Sequence, residues 1–396
     1  MKKKLAPVTE QFQHFVQQMQ ESFWGDVYDK GKQAVKELLE ADSERQRQRY
    51  LMAEPYERTG AAERDYRNGT YARDLVTRFG TIRIRIARTR QKGFRPRGLE
   101  AFQRRAEEVA LLIREAFLRG ISTRQVGRVI GVITGEVVSA QTVSKVTQSL
   151  DRMVKAFHES RLKDEWTYLF LDGVSLRVRR PSGRKRVQLL VAYGVRADGN
   201  RQLLAFLRSS GESQAAWEGL LEDLYRRGLE GQKLKLIVTD GCAGLIAALQ
   251  TVYPRVPHQR CWVHKMRNFV QAARKRDLPA ITADARDIYT ADSIQQARTA
   301  FETFQRRWQT SYPGLVHCLK KDLPDLLTFY QFPKALWRKL RTTNGIERQF
   351  VEVRRRTRPM VCFVNIHSVD RIIFAIFNQF NQRWENRTLR VFTQAA

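Results

Sequence analysis

The sequence predicts an α+β protein built on a mixed sheet, and the stretch after Trp166 carries that prediction through three features. First, "TYLFLDGVSLRV", "RVQLLVAYGV" and "RQLLAFLRSS" are successive strand-length runs rich in aliphatic and aromatic residues. Second, "ADGN" (Ala197 to Asn200) supplies a hairpin turn, so neighbouring runs lie antiparallel. Third, a helix from Ser213 to about Leu229 leads into the apolar run "LKLIVTDG", and a strand reached through a helix can lie parallel beside the first.

The chain of 396 residues, 42% hydrophobic, is long enough for two or three domains and a sizeable core. Its formal net charge of +30 favours a polyanionic partner, nucleic acid before membrane; a basic but merely solvated surface is the plainer alternative. No apolar run approaches the roughly 20 residues of a membrane span. The opening "MKKKLAPVTEQ" lacks the apolar core of a signal peptide, so an intracellular, soluble protein without a membrane partner is expected. Cys242, Cys261, Cys318 and Cys362 are scattered, which suits a reducing compartment without disulfides.

Between Val8 and Trp24 the residues Phe12, Phe15, Val16, Met19 and Phe23 recur at helical spacing. That stripe could serve a partner chain or dock on the protein's own core. From Arg67 to Arg105 there are twelve Lys/Arg against two acids. Within it "TIRIRIARTR" sets Ile82, Ile84 and Ile86 on one face of a strand and Arg83 and Arg85 on the other, as phosphate binding or simple solubility would require. "LEAFQRRAEEVALLIREAFLRG", "STRQVGRVIG" and "SAQTVSKVTQSLDRMVKAF" then read as three helices, with Ser122 and Ser139 as N-caps. Short connections suggest a helix-turn-helix whose recognition helix opens with Gln141, Thr142, Ser144 and Lys145.

Beyond the sheet, the pattern from Leu278 to Leu340 is helical and rich in aromatics, including Trp308 and Trp337. "TTNG" announces a charged helix, and "DRIIFAIFNQFNQRWENR" is a final amphipathic one.

"LFLDG" and "IVTDG" each bring an aspartate, Asp172 and Asp240, to the end of an apolar strand. On neighbouring strands these like charges repel unless cations bridge them, and hard divalent cations such as Mg²⁺ bind through such carboxylates plus phosphate oxygens. A third carboxylate normally completes a two-metal phosphoryl-transfer site, and Glu347 is the candidate, amid Arg341, Arg348, Arg354, Arg355 and Arg356. Each acid has a plainer reading: a strand-end Asp before Gly is an ordinary turn residue, and Glu347 a helix salt-bridge partner. In "HQRCWVHKMRN", His258, Cys261 and His264 come at three-residue intervals, but zinc would need a fourth ligand, so no zinc is expected. Cys261 reads better as a small buried residue, with His264 at a helix start either orienting the site or a phosphate or serving as a plain core histidine. The chain has no P-loop, GxGxxG or GxSxG element, leaving nucleotide hydrolysis, dinucleotide chemistry and serine hydrolysis without support.

"LFLDGV", "IVTDGCAGLIAAL", "QRCWVHKMRN" and "TTNGIER", in this order with a helical stretch before the last, resemble the mutator-type transposases of bacterial insertion sequences. "YRNGTYARDLVTRFGTIRIRIAR" and "RGISTRQVGRVI" resemble that family's N-terminal region, so the likeness covers roughly residues 50 to 390. It implies a ribonuclease-H-like mixed sheet with an all-helical insertion, and a DDE triad in which Asp172, Asp240 and Glu347 are catalytic and bind two Mg²⁺ ions, Mn²⁺ being able to substitute. Cys261 and His264 match the family's Cys-x-x-His signature; with Asn344 they would support the active site. Trp308 or Trp337 would stand for insertion-domain aromatics that contact DNA, alongside Arg348, Arg354 and Arg355.

The implied function is cleavage at transposon ends, freeing a 3′-hydroxyl that attacks another phosphodiester. Partners would be double-stranded DNA, as terminal inverted repeats and target, and a second copy of the chain in a homodimer or larger assembly. Location would be cytoplasmic, with the nucleoid. The expected organisation is an N-terminal helical region at 1–60 and a basic strand region at 61–98. A helix-turn-helix at 99–160 follows, then the first part of the catalytic core at 161–277. The helical insertion takes 278–340, and the rest of the core, with the third carboxylate, takes 341–396. A nuclease of the same fold that joins nothing, and a catalytically silent DNA-binding regulator, are the rival functions.

Overall fold

The computed structural model describes residues 14, 18, 23–54, 65–99, 105–119, 121, 123–134, 137–180, 183–357 and 366–393. The chain divides into two compact units, 1–150 and 151–396. The amphipathic stripe expected over Val8 to Trp24 lies outside the described residues except at positions 14, 18, 23 and 24, which are helical, and the expected cap Ser122 lies outside them too.

In the first unit, helix α1 (Phe23–Leu51) accompanies a hairpin of β1 (Arg67–Thr77) and β2 (Gly80–Thr89). The alternation in β2 is realised: Ile82, Ile84 and Ile86 are buried with Leu75 and Leu99 against Val35 and Leu39, while Arg83 and Arg85 are exposed. Full burial of such a side chain is worth about 1.5–3 kcal/mol, enough to fix the register so that the arginines face out. Along the open side of β2, Glu40 Oε1 accepts from Arg85 N–H at 2.8 Å and Ser43 Oγ from Ala87 N–H at 3.1 Å. Arg47 Nη1 donates to the Arg88 carbonyl at 3.1 Å, so α1 blocks an edge that could otherwise pair with another strand.

Three helices follow: α2 (Glu107–Leu118), α3 (Thr123–Thr134) and α4 (Ala140–Thr147). The first starts later than the sequence suggests, because Arg105 bridges to Val76 and Ala106 N–H donates to the Val76 carbonyl, holding that backbone extended. Ser139 caps α4 as expected, its Oγ accepting from Thr142 N–H at 3.2 Å. The long helix expected onward from Ser139 is broken at Gln148 and Ser149. There Thr147 and Ser149 hydroxyls donate to the carbonyls of Ser144 and Val146, competing with the helical ladder. Gly127 lets the chain cross α3 closely: a Cβ there would stand 1.9 Å from the Val138 carbonyl oxygen.

The second unit holds α5 (Leu150–Glu159, whose first residue belongs to the first unit) and a five-stranded sheet. Its strands are β3 (Trp166–Arg180), β4 (Gly183–Arg196), β5 (Arg201–Ser209), β6 (Leu236–Thr239) and β7 (His258–Arg260), in the order β5-β4-β3-β6-β7. The first three are antiparallel neighbours, while β6 runs parallel to β3 and β7 parallel to β6. Helices α6 (Gln214–Arg226) and α7 (Ala243–Val252) bury Trp217, Leu221 and Leu245 against Leu169, Leu171 and Leu190 of the sheet.

The chain continues through α8 (Trp262–Ala272), then a helical block of α9 (Leu278–Thr290), α10 (Ile294–Trp308), α11 (Pro313–Leu326) and α12 (Lys334–Leu340). It ends with α13 (Asn344–Thr357), α14 (Ile366–Trp384) and the short α15 (Arg390–Thr393). Asn381 of α14 closes the β5 edge with its amide, accepting from Leu203 N–H at 2.9 Å and donating to the Leu203 carbonyl at 3.0 Å. At the β7 edge, Gln259 accepts from Phe329 N–H at 2.7 Å and donates to the Leu326 carbonyl at 3.1 Å. Nearby, buried Lys265 Nζ lies 2.6 Å and Arg260 Nη1 3.0 Å from Asp322 Oδ2. Paired this way, the buried charges fasten the helical block to the sheet without an orphaned ion.

Candidate active site

Asp172 does not end its strand. It sits within β3, opposite Val191 of β4, and the strand runs on to Arg180 because β4 is long enough to pair with it throughout. Gly173 supplies space here, since a Cβ on it would lie 2.3 Å from Glu212 Oε1. Asp240 does follow a strand end. Leu171 is paired with Thr239 in parallel register, which brings the two aspartates to neighbouring positions. The turn carrying Asp240 is shaped by Gly241 at φ 85°. Cys242 N–H donates to Asp240 Oδ1 at 3.0 Å, and Gly241 N–H to Thr239 Oγ1 at 3.0 Å.

Glu347 arrives on the first turn of α13, which begins at Asn344 itself. Buried Thr343 fixes that turn: its carbonyl accepts from Glu347 N–H at 3.0 Å, and its own N–H and hydroxyl donate to Cys261 Sγ at 3.3 and 3.4 Å. Cys261 thus joins the start of α8 to the start of α13. On α8, His264 Nε2 lies 3.5 Å from Glu347 Oε1, and Arg267 clasps both carboxylate oxygens at 2.8 and 3.2 Å. Ligand atoms of Asp172, His264 and Glu347 lie within 4.8 Å of one another, as do those of Glu212, Asp240 and Cys242.

Burial, then the charge of Asp240, pushes Asp172 up to about 8, and Glu212 is raised by the same two causes. Burial pushes His264 down, favouring neutral imidazole, and raises the Cys261 thiol. Among the described residues no ion pair compensates Asp172, Asp240 or Glu212, and the buried His264 Nδ1 has no hydrogen-bond partner. Oxygen-rich, under-compensated carboxylates beside a neutral imidazole fit a hard divalent cation.

Asp172, His264, Arg267 and Glu347 line a cleft of about 1440 Å³ together with Arg201, Arg286, Arg338, Lys339, Arg348 and Arg354. A cleft with acids at its base and cations around them focuses positive potential on whatever enters. Asn344 also lines it. Arg355 turns instead to Glu352 at 2.7 Å. Trp308 is 8% exposed, with its indole N–H on Asp284 at 2.8 Å. Trp337 donates to the Phe332 carbonyl at 2.7 Å and packs edge-on to Tyr330. Neither tryptophan is among the cleft-lining residues. Arg83, Arg85, Gln141 and Lys145 are exposed and Thr142 half-buried, all in the first unit. His258, Cys261 and His264 do not converge: His258 turns to Thr239 and Asp325, Cys261 to Thr343, and His264 to Glu347.

Sequence reasoning missed Glu212 and Arg267. The signal for Glu212 was Gly173 itself, a glycine inside a strand that marks a close approach.

No helix among the described residues is long and apolar enough to cross a membrane. The family model described as Transposase, Mutator family matches residues 7–387. The transposase for insertion sequence element IS905 of Lactococcus lactis is 31% identical, covering 92% of this chain and 91% of its own. The transposase for IS406 of Burkholderia multivorans is 33% identical over 89% and 90%, and that for ISRM5 of Rhizobium meliloti 31% over 85% and 86%. With the family match running through both units, the chain belongs to the Mutator family of transposases.

Proposed function

We propose that this protein is a DNA transposase that binds the terminal inverted repeats of an insertion sequence, cleaves at the ends and joins the freed 3′-hydroxyl to DNA. The observation that carries the reading is that Asp172 meets Glu347 and His264 in one basic cleft while Asp240, next to it at the end of the parallel neighbouring strand, adds its charge to the same carboxylate. The strand order β5-β4-β3-β6-β7, three antiparallel then two parallel, supports a ribonuclease-H-like core, with the 278–340 helices as its insertion.

Asp172, Asp240 and Glu347 would hold the metal, with Glu212 beside Asp240 and His264 beside Glu347. Two bound Mg²⁺ ions, or Mn²⁺ in their place, would stabilise the attacking and leaving oxygens of an in-line displacement. The protein's own residues do the rest. The walls around Asp172 exclude water, which strengthens every charge interaction inside. The Cys261–Thr343 contact sets the height of Glu347, and Arg348 and Arg354, which line the cleft, would face the strand being cut. Arg83 and Arg85 would grip phosphates, while Gln141, Thr142 and Lys145 on α4 would read base edges in a helix-turn-helix. Trp308 and Trp337 enter as packing residues of the helical block. Two ends must be handled together, so a homodimer or larger assembly is part of the proposal.

The test incubates purified protein with Mg²⁺ or Mn²⁺ and labelled DNA carrying the terminal repeat, comparing wild type with Glu347→Gln. The expected result is metal-dependent nicking at the repeat boundary plus joined products, both lost in the variant. Nicking without joined products would replace the reading by a nuclease; tight repeat binding without cleavage would replace it by a regulator.

A further inference from the structure

Among the described residues, Glu347 is the one acid of the site already held by a cation. Arg267 engages both its oxygens, at 2.8 and 3.2 Å, and contacts His264 Nε2 at 3.1 Å. The guanidinium side chain is 55% exposed on the cleft, whereas the carboxylate is 23% exposed. A divalent ion cannot take Glu347 while both oxygens serve a bidentate fork. Asp172, Asp240 and Glu212 carry no such counter-ion among the described residues.

We propose that Arg267 and a divalent cation compete for Glu347, and that the displaced guanidinium then binds a phosphate oxygen of DNA in the cleft. This rests on the reading of Glu347 as a metal ligand. Charge balances without any covalent step: the carboxylate passes from guanidinium to metal, and the guanidinium passes from carboxylate to phosphate. The exchange is feasible because a half-exposed ion pair is weak. It also couples the two events, since DNA that captures Arg267 frees Glu347 for the ion. Arg267 is thereby a residue that acts on both metal and substrate.

The experiment titrates Mn²⁺ into the full-length protein without DNA, following free Mn²⁺ by electron paramagnetic resonance. Wild type is compared with Arg267→Gln, Arg286→Gln and Glu347→Gln, each first checked by thermal unfolding. Arg267→Gln should bind Mn²⁺ about two- to fivefold more tightly than wild type, the range an exposed ion pair is worth. Arg286→Gln removes the same charge from the cleft without touching Glu347 and should gain less. On repeat DNA at saturating Mn²⁺ the sign reverses, and Arg267→Gln should cleave more slowly than wild type. If it does not fold, Arg267→Lys, a point charge in place of the fork, must still bind Mn²⁺ more tightly than wild type.

Affinity in Arg267→Gln no higher than in wild type or Arg286→Gln overturns the competition, and wild-type cleavage overturns the hand-over to phosphate. Weaker Mn²⁺ binding by Glu347→Gln keeps Glu347 as a ligand whatever Arg267 does; unchanged binding by that variant removes the ligand and the competition together.

Discussion

Strand β2 alternates buried and exposed side chains, whereas β3 is buried on both faces from Trp166 through Asp172. In β2 the isoleucines are buried and Arg83 and Arg85 are exposed, so the charges stay hydrated and the strand bears no electrostatic cost. In β3 the aspartate is itself buried, 4% exposed, within that run and beside Asp240 and Glu212. Hydrated cations suit reversible attraction to a polyanion, where affinity comes from released counterions. A desolvated carboxylate among like charges suits chemistry, because it is unstable until a cation joins it. Under the proposed function, the contrast assigns binding to a strand of the first unit and reaction to a strand of the second.

The change that breaks the contrast most is Asp172→Asn. Cleavage at the repeat boundary should fall by about a thousandfold or more, with DNA binding retained, in a nicking assay paired with gel-shift measurements. The same variant should stabilise the metal-free protein. The folded-state value of Asp172 is raised from 3.8 to about 8, so the folded form holds the proton more tightly and wild-type stability declines as pH climbs between those values. Thermal melts in a chelator should therefore put Asp172→Asn several °C above wild type at pH 8, with the gap closing towards pH 4.

Two glycines sharpen the comparison. Gly127→Ala drives a methyl into the Val138 carbonyl, which cannot swing away, and should cost about 1–3 kcal/mol in urea denaturation. Gly173→Ala meets only the end of the Glu212 side chain, so its stability loss should be the smaller of the two. On the β2 side, Arg83→Gln and Arg85→Gln should each lower the slope of log affinity against log salt by about one, with stability unchanged within about 0.5 kcal/mol. The smallest effect is expected from Gly345→Ala on α13. A Cβ there meets Tyr193 at an ordinary 3.6 Å, so better helix propensity should add up to about 1 kcal/mol in the same denaturation assay.

Alternation was legible wherever one face is buried and one is wet, as in β2, and so was the Ser139 cap, because both signals are local. Asp-Gly in "LFLDG" misled for the same reason: locally it is a turn signal, and only pairing with a long β4 overrides it. The break at Gln148 and Ser149 turns on hydroxyls choosing between carbonyls, which composition does not reveal. The three acids could be named from their motifs. Glu212 and Arg267 could not, since each matters through a contact with a residue distant in sequence. Trp308 and Trp337, given a DNA-contacting role only through the family resemblance, have packing partners within the helical block that the sequence did not reveal.

The helical block also sets a schedule. Asp240 and Glu347 are separated in the chain by α7 to α12, and a ribosome adds roughly 5–20 residues per second. For several seconds of each synthesis, then, the two strand acids exist before the helix that brings the third. A chain broken off within the block would keep its arginine-faced strand and lack Glu347. Under the proposed function, such a fragment would occupy the repeats without cutting them, and so act as a competitor of the complete protein.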